Sequence, residues 1–200
     1  GFIFFFLVLL ILAQVYEDKI GELVVKELNK SLKAPITVEH VDLTLVRTFP
    51  DASVILSQVS MPDAKNGILL NAKTLSLNFG FLSLFRDEIE IESVIVADGA
   101  LNILKGKDGK VNYDVWIASE ESSGDEREVQ IDLQDATLLN IYAIYEDKQF
   151  QQSGILHIES LKLSGAFSAQ EFELKSAAEM EIEVLNTKDG EILSGRHIAY

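Results

Sequence analysis

The sequence predicts a mainly β protein led by helix: a transmembrane helix running into an amphipathic α-helix, then a curved antiparallel β-sheet. Three observations predict it. Phe2 to Ala13 carries no polar side chain, Tyr16 to Leu32 repeats apolar residues every three or four positions, and from Ile36 onward the apolar period is two.

The first run is apolar all the way round, whereas a surface helix needs only a stripe facing the core. As a helix, Gly1 to Ala13 covers about 20 Å, against a hydrocarbon core of about 30 Å. Residues 1–15 therefore read as a membrane anchor whose first turns precede this sequence. Two other readings compete. A signal-peptide h-region has this length, but Gln14-Val15-Tyr16 is a poor small-residue cleavage site; a buried core helix shares the composition.

Residues 16–34 place Tyr16, Ile20, Leu23, Val24, Leu28 and Leu32 on one face. Glu17 and Asp18 at the start and Lys30 and Lys33 near the close match the helix dipole, and Pro35 ends the helix. Its apolar face is expected to pack on the sheet.

Residues 35–200 read as one β domain that continues beyond residue 200, because Arg196 to Tyr200 resembles a strand just beginning. Strand phase selects Leu43 and Leu45, then Val54 and Leu56 after the break at Phe49-Pro50-Asp51, then Leu75, Leu77 and Phe79. Ile89 and Ile91 come next, with a phase slip at Ser93-Val94 that predicts a bulge. Leu101 and Ile103 lead into Gly106-Lys107-Asp108-Gly109, which has the composition of a hairpin turn. Ala118 to Glu128 is an acidic loop. Beyond it the same phase selects Ile131, Leu133, Leu139, Ile141, Leu161, Leu163, Leu174, Ile182 and Val184, with Asp189-Gly190 as the last hairpin signal. Apart from the leading helix and a short turn at Leu82 to Phe85, the whole reads as an antiparallel meander of nine to eleven strands. Such a sheet must close, fold over, be covered by a helix, or keep its apolar face for a ligand.

The formal net charge of −15 argues against nucleic acid, which is bound through Lys and Arg on phosphates. The absence of cysteine excludes disulfides, thiolate metal sites and thiol catalysis. His40, His157 and His197 lie far apart with no helical pairing, so no metal site is expected; they read as polar strand positions. Glu88, Glu90 and Glu92 share one solvated strand face, and no contrasting environment marks them as an acid–base pair. Asp108-Gly109-Lys110 with Asn112 has the look of a phosphate loop, yet no helix comes after it to aim its amino terminus at an anion. No nucleophile elbow or nucleotide-binding glycine motif is present, so neither an enzyme nor a cofactor is expected.

Several segments in order resemble a known family. Val38-Glu39-His40-Val41-Asp42-Leu43-Thr44-Leu45, Thr48-Phe49-Pro50-Asp51-Ala52-Ser53-Val54, Leu70 to Phe79, Ile89 to Val96 with Leu101-Asn102-Ile103, and Asp108-Gly109-Lys110-Val111-Asn112-Tyr113 resemble the amino-terminal region of AsmA-family proteins. The apolar run and the helix after it fit the same pattern. The resemblance covers residues 1–115, and the remainder of the chain matches only as generic β repeats.

It implies a single-pass inner-membrane protein of a diderm bacterium. The bulk of the chain would lie in the periplasm, and a taco-like β-groove would carry lipid acyl chains, phospholipid above all, in outer-membrane lipid homeostasis or assembly. The selected positions would then line the groove. The competing expectation is a structural or interaction subunit of a larger cell-envelope complex, with a closed β core, no ligand and protein partners.

Overall fold

The computed structural model describes residues 22, 24–26, 28–30, 32–44, 51–80, 89–115, 117, 129, 130, 135–167 and 172–199. The apolar run at 1–15, the start of the amphipathic helix, the acidic loop at 118–128 and the turn at 82–85 lie outside them. Among the described residues no helix is long and apolar enough to cross a membrane.

The protein is mainly β. Ten strands are described: β1 (His40–Thr44), β2 (Asp51–Pro62), β3 (Ile68–Gly80), β4 (Ile89–Glu90), β5 (Ser93–Lys105), β6 (Val129–Gln130), β7 (Asp135–Asp147), β8 (Gln152–Phe167), β9 (Phe172–Thr187) and β10 (Gly190–Ala199). Eight form one sheet in the order β1-β2-β3-β5-β7-β8-β9-β10, and β4 and β6 form a separate pair. The helical residues fall within 22–30. Of the expected stripe, Val24 and Leu32 are buried and Leu28 is partly buried against the core. The helix closes before Pro35: the Asn29 side chain accepts the Ile36 N–H at 2.8 Å, and Lys33 N–H donates to the Val115 carbonyl at 2.8 Å.

The all-antiparallel expectation is corrected at one place. β5 and β7 run parallel from Ser93↔Asp135 to Lys105↔Asp147, and β4 and β6 before them are parallel as well. A parallel pair needs a crossover, and residues 106–134 supply one long enough to carry the chain back to the starting end of β5. The Gly106 to Gly109 turn does form, with Gly109 in the left-handed region at φ +77°. It opens into a single bridge, Lys105↔Val111, rather than into a paired strand.

Asn112 is the reason the chain stops there. Only 1% exposed, it donates its backbone N–H to the Leu104 carbonyl, accepts the Leu104 N–H on its amide oxygen, and donates its amide nitrogen to the Asn102 carbonyl and the Asp63 carboxylate. These bonds end the pairing on that side of β5 and tie it to the turn between β2 and β3.

The expected bulge at Ser93-Val94 is a break instead. Residues 91 and 92 belong to no strand, and Glu92 N–H donates to the Asn78 carbonyl at 2.9 Å where the chain passes from β4 to β5. The Asp189-Gly190 hairpin is present, with Gly190 at φ +121°.

Candidate functional site: the apolar face of the sheet

Side chains directly opposite in a ladder share a face of the sheet. Following the pairs from strand to strand gives Val54, Leu77, Val94, Ala136 and Leu163 in one row, and Leu56, Leu75, Val96, Leu138, Leu161 and Ala178 in the next. Further along the strands come Val59, Ala72, Gly99, Ile141, Ile158 and Met180, and then Met61, Leu70, Leu101, Ala143, Leu156 and Ile182. The first two rows and the last two do not follow from simple alternation. In β2 the buried positions pass from Leu56 to Val59, and in β7 the face passes from the partly buried Leu138 to the buried Ile141.

The step is one residue in each of five neighbouring strands, and it falls on a single line across the sheet. Gln58, Lys73, Asp98, Asn140 and Glu159 stand on that line, all exposed, while pairing on either side of it keeps one register from β2 through β8. Gln58, Asp98 and Asn140 have φ of 53°, 56° and 50°, the left-handed region where a non-glycine residue is uncommon. At Gly99, next to the line, an added Cβ would meet the Asn71 carbonyl oxygen at 2.1 Å, so the close approach of β3 and β5 requires glycine. In β9 and β10 the step moves to Glu183 and Gly195, and register shifts on either side of Ile158 take up the difference.

This transverse crease decides which of the expected residues share the apolar face. Leu43 is partly buried in β1, and Val54, Leu56, Leu75, Leu77 and Phe79 are buried in β2 and β3. Leu101, Ile103, Leu161, Leu163 and Ile182 are half-buried, Ile141 is fully buried, and Ile91 is buried in the break between β4 and β5. Ile89 pairs with Val129 and Leu174 with Gly165. Leu45, Ile131 and Leu133 lie outside the described residues.

Leu139 and Val184 are corrections. Leu139 precedes the step in β7 and is 39% exposed on the opposite face from Ile141. Val184 lies past the step in β9 and pairs with Ile155, whose partner in β7 is the exposed Ile144. Strict alternation missed Val59, Ala72, Leu138, Leu156 and Ile158. A signal exists for all of these but Leu138: Ser57-Gln58, Lys73-Thr74 and Glu159-Ser160 are polar doublets between apolar alternations, each marking one extra residue.

Burial along the apolar face is uneven. On β2 and β3 it is complete but for the half-buried Met61, and Val24, Leu32, Ile36 and Val115 belong to the same core cluster. On β8 and β9 Leu156, Leu161, Leu163, Met180 and Ile182 are only half-buried, and β10 is exposed along nearly all its length.

Polar chemistry collects on the other face. Ser53 Oγ donates to Asn78, whose amide nitrogen donates to Ser93 Oγ, across β2, β3 and β5. Asn140 donates to the Asp98 carboxylate at 2.6 Å, His157 Nε2 is 2.8 Å from Asn140 Oδ1, and the His157 ring stacks on Tyr142 at 4.5 Å. His197 Nε2 lies 3.6 Å from Glu159 and 3.5 Å from Glu179.

Two turn carboxylates are perturbed. Burial pushes Asp63 up, but the Gly67 and Lys65 N–H groups, the Asn112 amide and the Lys65 charge outweigh it and hold it below the ordinary value. Burial likewise raises Asp147, and the Phe150 and Gln149 N–H groups with Lys105 reverse the sign. Burial and the Asp147 charge push the Tyr145 phenol up. All three belong to turns and strand ends and read as structural.

Compared with known proteins, the chain matches no family model and no curated sequence.

Proposed function

We propose that the chain holds or passes lipid acyl chains on the apolar face of its sheet, as a membrane-anchored periplasmic carrier of the AsmA type. One observation carries the reading. The same apolar face is buried on β2 and β3 except at the half-buried Met61, whereas on β8 and β9 Leu156, Leu161, Leu163 and Ile182 are only half-buried around the buried Ile158 and Ala178. An acyl chain laid there gains about 0.8 kcal/mol for each CH₂ removed from water. The apolar run Phe2 to Ala13 would hold that face beside a bilayer, and the sequence order from Val38 to Tyr113 supports the family. Phospholipid of the bacterial inner membrane is the proposed cargo.

A second reading, a structural subunit of an envelope complex, is favoured by Leu139, Tyr142 and Ile144, which are 39%, 41% and 40% exposed on the polar face.

Photocrosslinking in living cells separates the two. A benzophenone side chain placed at Leu161 should form a phospholipid adduct, seen by mass spectrometry, and the same group at Tyr142 should not. Leu161→Asp should strip bound phospholipid from the purified chain with its circular dichroism unchanged. Adducts to protein alone, from either position, would establish the second reading.

A further inference from the structure

We propose that Glu159, Glu179 and His197 bind a divalent transition-metal ion of the zinc class on the polar face of β8, β9 and β10. The three residues are far apart in sequence, and sheet register brings them together. Glu179 lies between Ala178 and Met180, which share the apolar face, so it projects to the opposite side. His197 lies between Arg196 and Ile198, which pair with Ile182 and Met180 of that same face, and it too projects away. Glu159 stands at the crease of β8, where the extra residue turns it out to solvent.

The donor atoms converge at metal-like spacing. His197 Nε2 is 3.5 Å from Glu179 Oε1 and 3.6 Å from Glu159 Oε1, and one ligand atom from each residue fits within 4.8 Å of the other two. Donors about 2.1 Å from a zinc ion at tetrahedral angles stand about 3.4 Å apart, close to the two distances from His197, while the two carboxylates lie within 4.8 Å of each other. Two carboxylates and a neutral imidazole supply two negative charges and a mixed oxygen and nitrogen set, which suits zinc-class ions better than calcium or magnesium. The exposed side of the triad leaves a fourth position for water or a ligand.

Three strands supply one donor each, so the ion would tie β10, exposed along most of its length, to β8 and β9. The site is on the face away from the proposed lipid and does not depend on that reading.

The test is isothermal titration of the full 200-residue chain, stripped with chelator, against zinc chloride. One equivalent is expected to bind, and zinc is expected to raise the midpoint of thermal unfolding. His197→Ala, Glu159→Gln and Glu179→Gln should each weaken the affinity by about tenfold or more. All three positions are exposed, and circular dichroism checks that each variant folds. His40→Ala and His157→Ala should bind as the parent does. Zinc should also shift the His197 ring nitrogens in the NMR spectrum. No saturable binding, or an affinity unchanged in His197→Ala, would overturn the site. Loss in His197→Ala with no effect of either glutamine variant would reduce it to a lone surface histidine and overturn the three-ligand proposal.

Discussion

Asn112 and Asp63 are 49 residues apart in the chain and joined by a hydrogen bond of 3.1 Å from the Asn112 amide to the Asp63 carboxylate. The other oxygen of Asp63 accepts the Lys65 and Gly67 N–H groups at 2.7 Å, so one carboxylate shapes the turn between β2 and β3 and anchors the residue that closes β5. Asn112→Ala leaves the Leu104 N–H and the Asn102 carbonyl without their side-chain partner, and each buried polar group so orphaned costs about 1–3 kcal/mol. A loss of roughly 3 kcal/mol in urea unfolding is expected. Asn112→Asp should do no better, because it cannot donate to Asn102 and sets a second negative charge beside Asp63.

The crease makes a sharp contrast between two neighbours in β7. Ile141 is fully buried, and Ile141→Ala should cost about 2–5 kcal/mol by loss of transfer energy and the cavity left behind. Leu139→Ala, two residues earlier, should change stability by less than about 0.5 kcal/mol. Equal losses for the two would mean that alternation runs unbroken through Asn140.

At Gly99 the obstacle to a side chain is backbone. The nearest atoms to an added Cβ are the Asn71 carbonyl oxygen at 2.1 Å and the Ala72 Cα at 2.8 Å, and neither can swing aside. Gly99→Ala should force β3 and β5 apart and cost roughly 3 kcal/mol or more, read in the same unfolding experiment. At Gly109, where nothing lies within 4 Å, the cost comes only from its φ of +77° and should be smaller.

Acid should weaken the fold through Asp147 and Asp63. Both have folded-state pKa values below 3.8, so each contributes stability that is complete above pH 3.8 and lost as pH falls through the lower folded value. Asp147→Asn keeps an oxygen for the Gln149 and Phe150 N–H groups but gives up the charge facing Lys105 at 3.5 Å. Its melting temperature should be lower than the parent's at neutral pH, and the gap should narrow below pH 3.8.

Much of the fold was legible in the sequence, because period two reports a half-buried strand wherever it is unbroken. The faces of Val54, Leu56, Leu75 and Leu77 come from it directly, as does the helix stripe at Val24, Leu28 and Leu32 from its own period. Alternation failed where the chain adds one residue to a strand. Leu138-Leu139-Asn140-Ile141 offers two registers of equal hydrophobicity, and only the neighbours β5 and β8 decide that Leu138 and Ile141 share the face. The parallel pair was hidden for a related reason. A tight turn at Gly106 to Gly109 announces a hairpin locally, and the bonds that cancel it come from Asn112 and from the distant turn at Asp63. The meeting of Glu159, Glu179 and His197 is likewise a product of register across three strands, which no spacing along the chain reports.

The crease also fixes how this sheet can change in length. Because β2, β3, β5, β7 and β8 step on the same line, each strand carries its extra residue only in company with the neighbours. Deleting Asn140 alone would restore simple alternation to β7 and slide one half of it by a residue against both β5 and β8. Single-residue insertions and deletions are therefore barred within these strands. The sheet can grow by whole strands added at an edge, but hardly by lengthening one strand past the line.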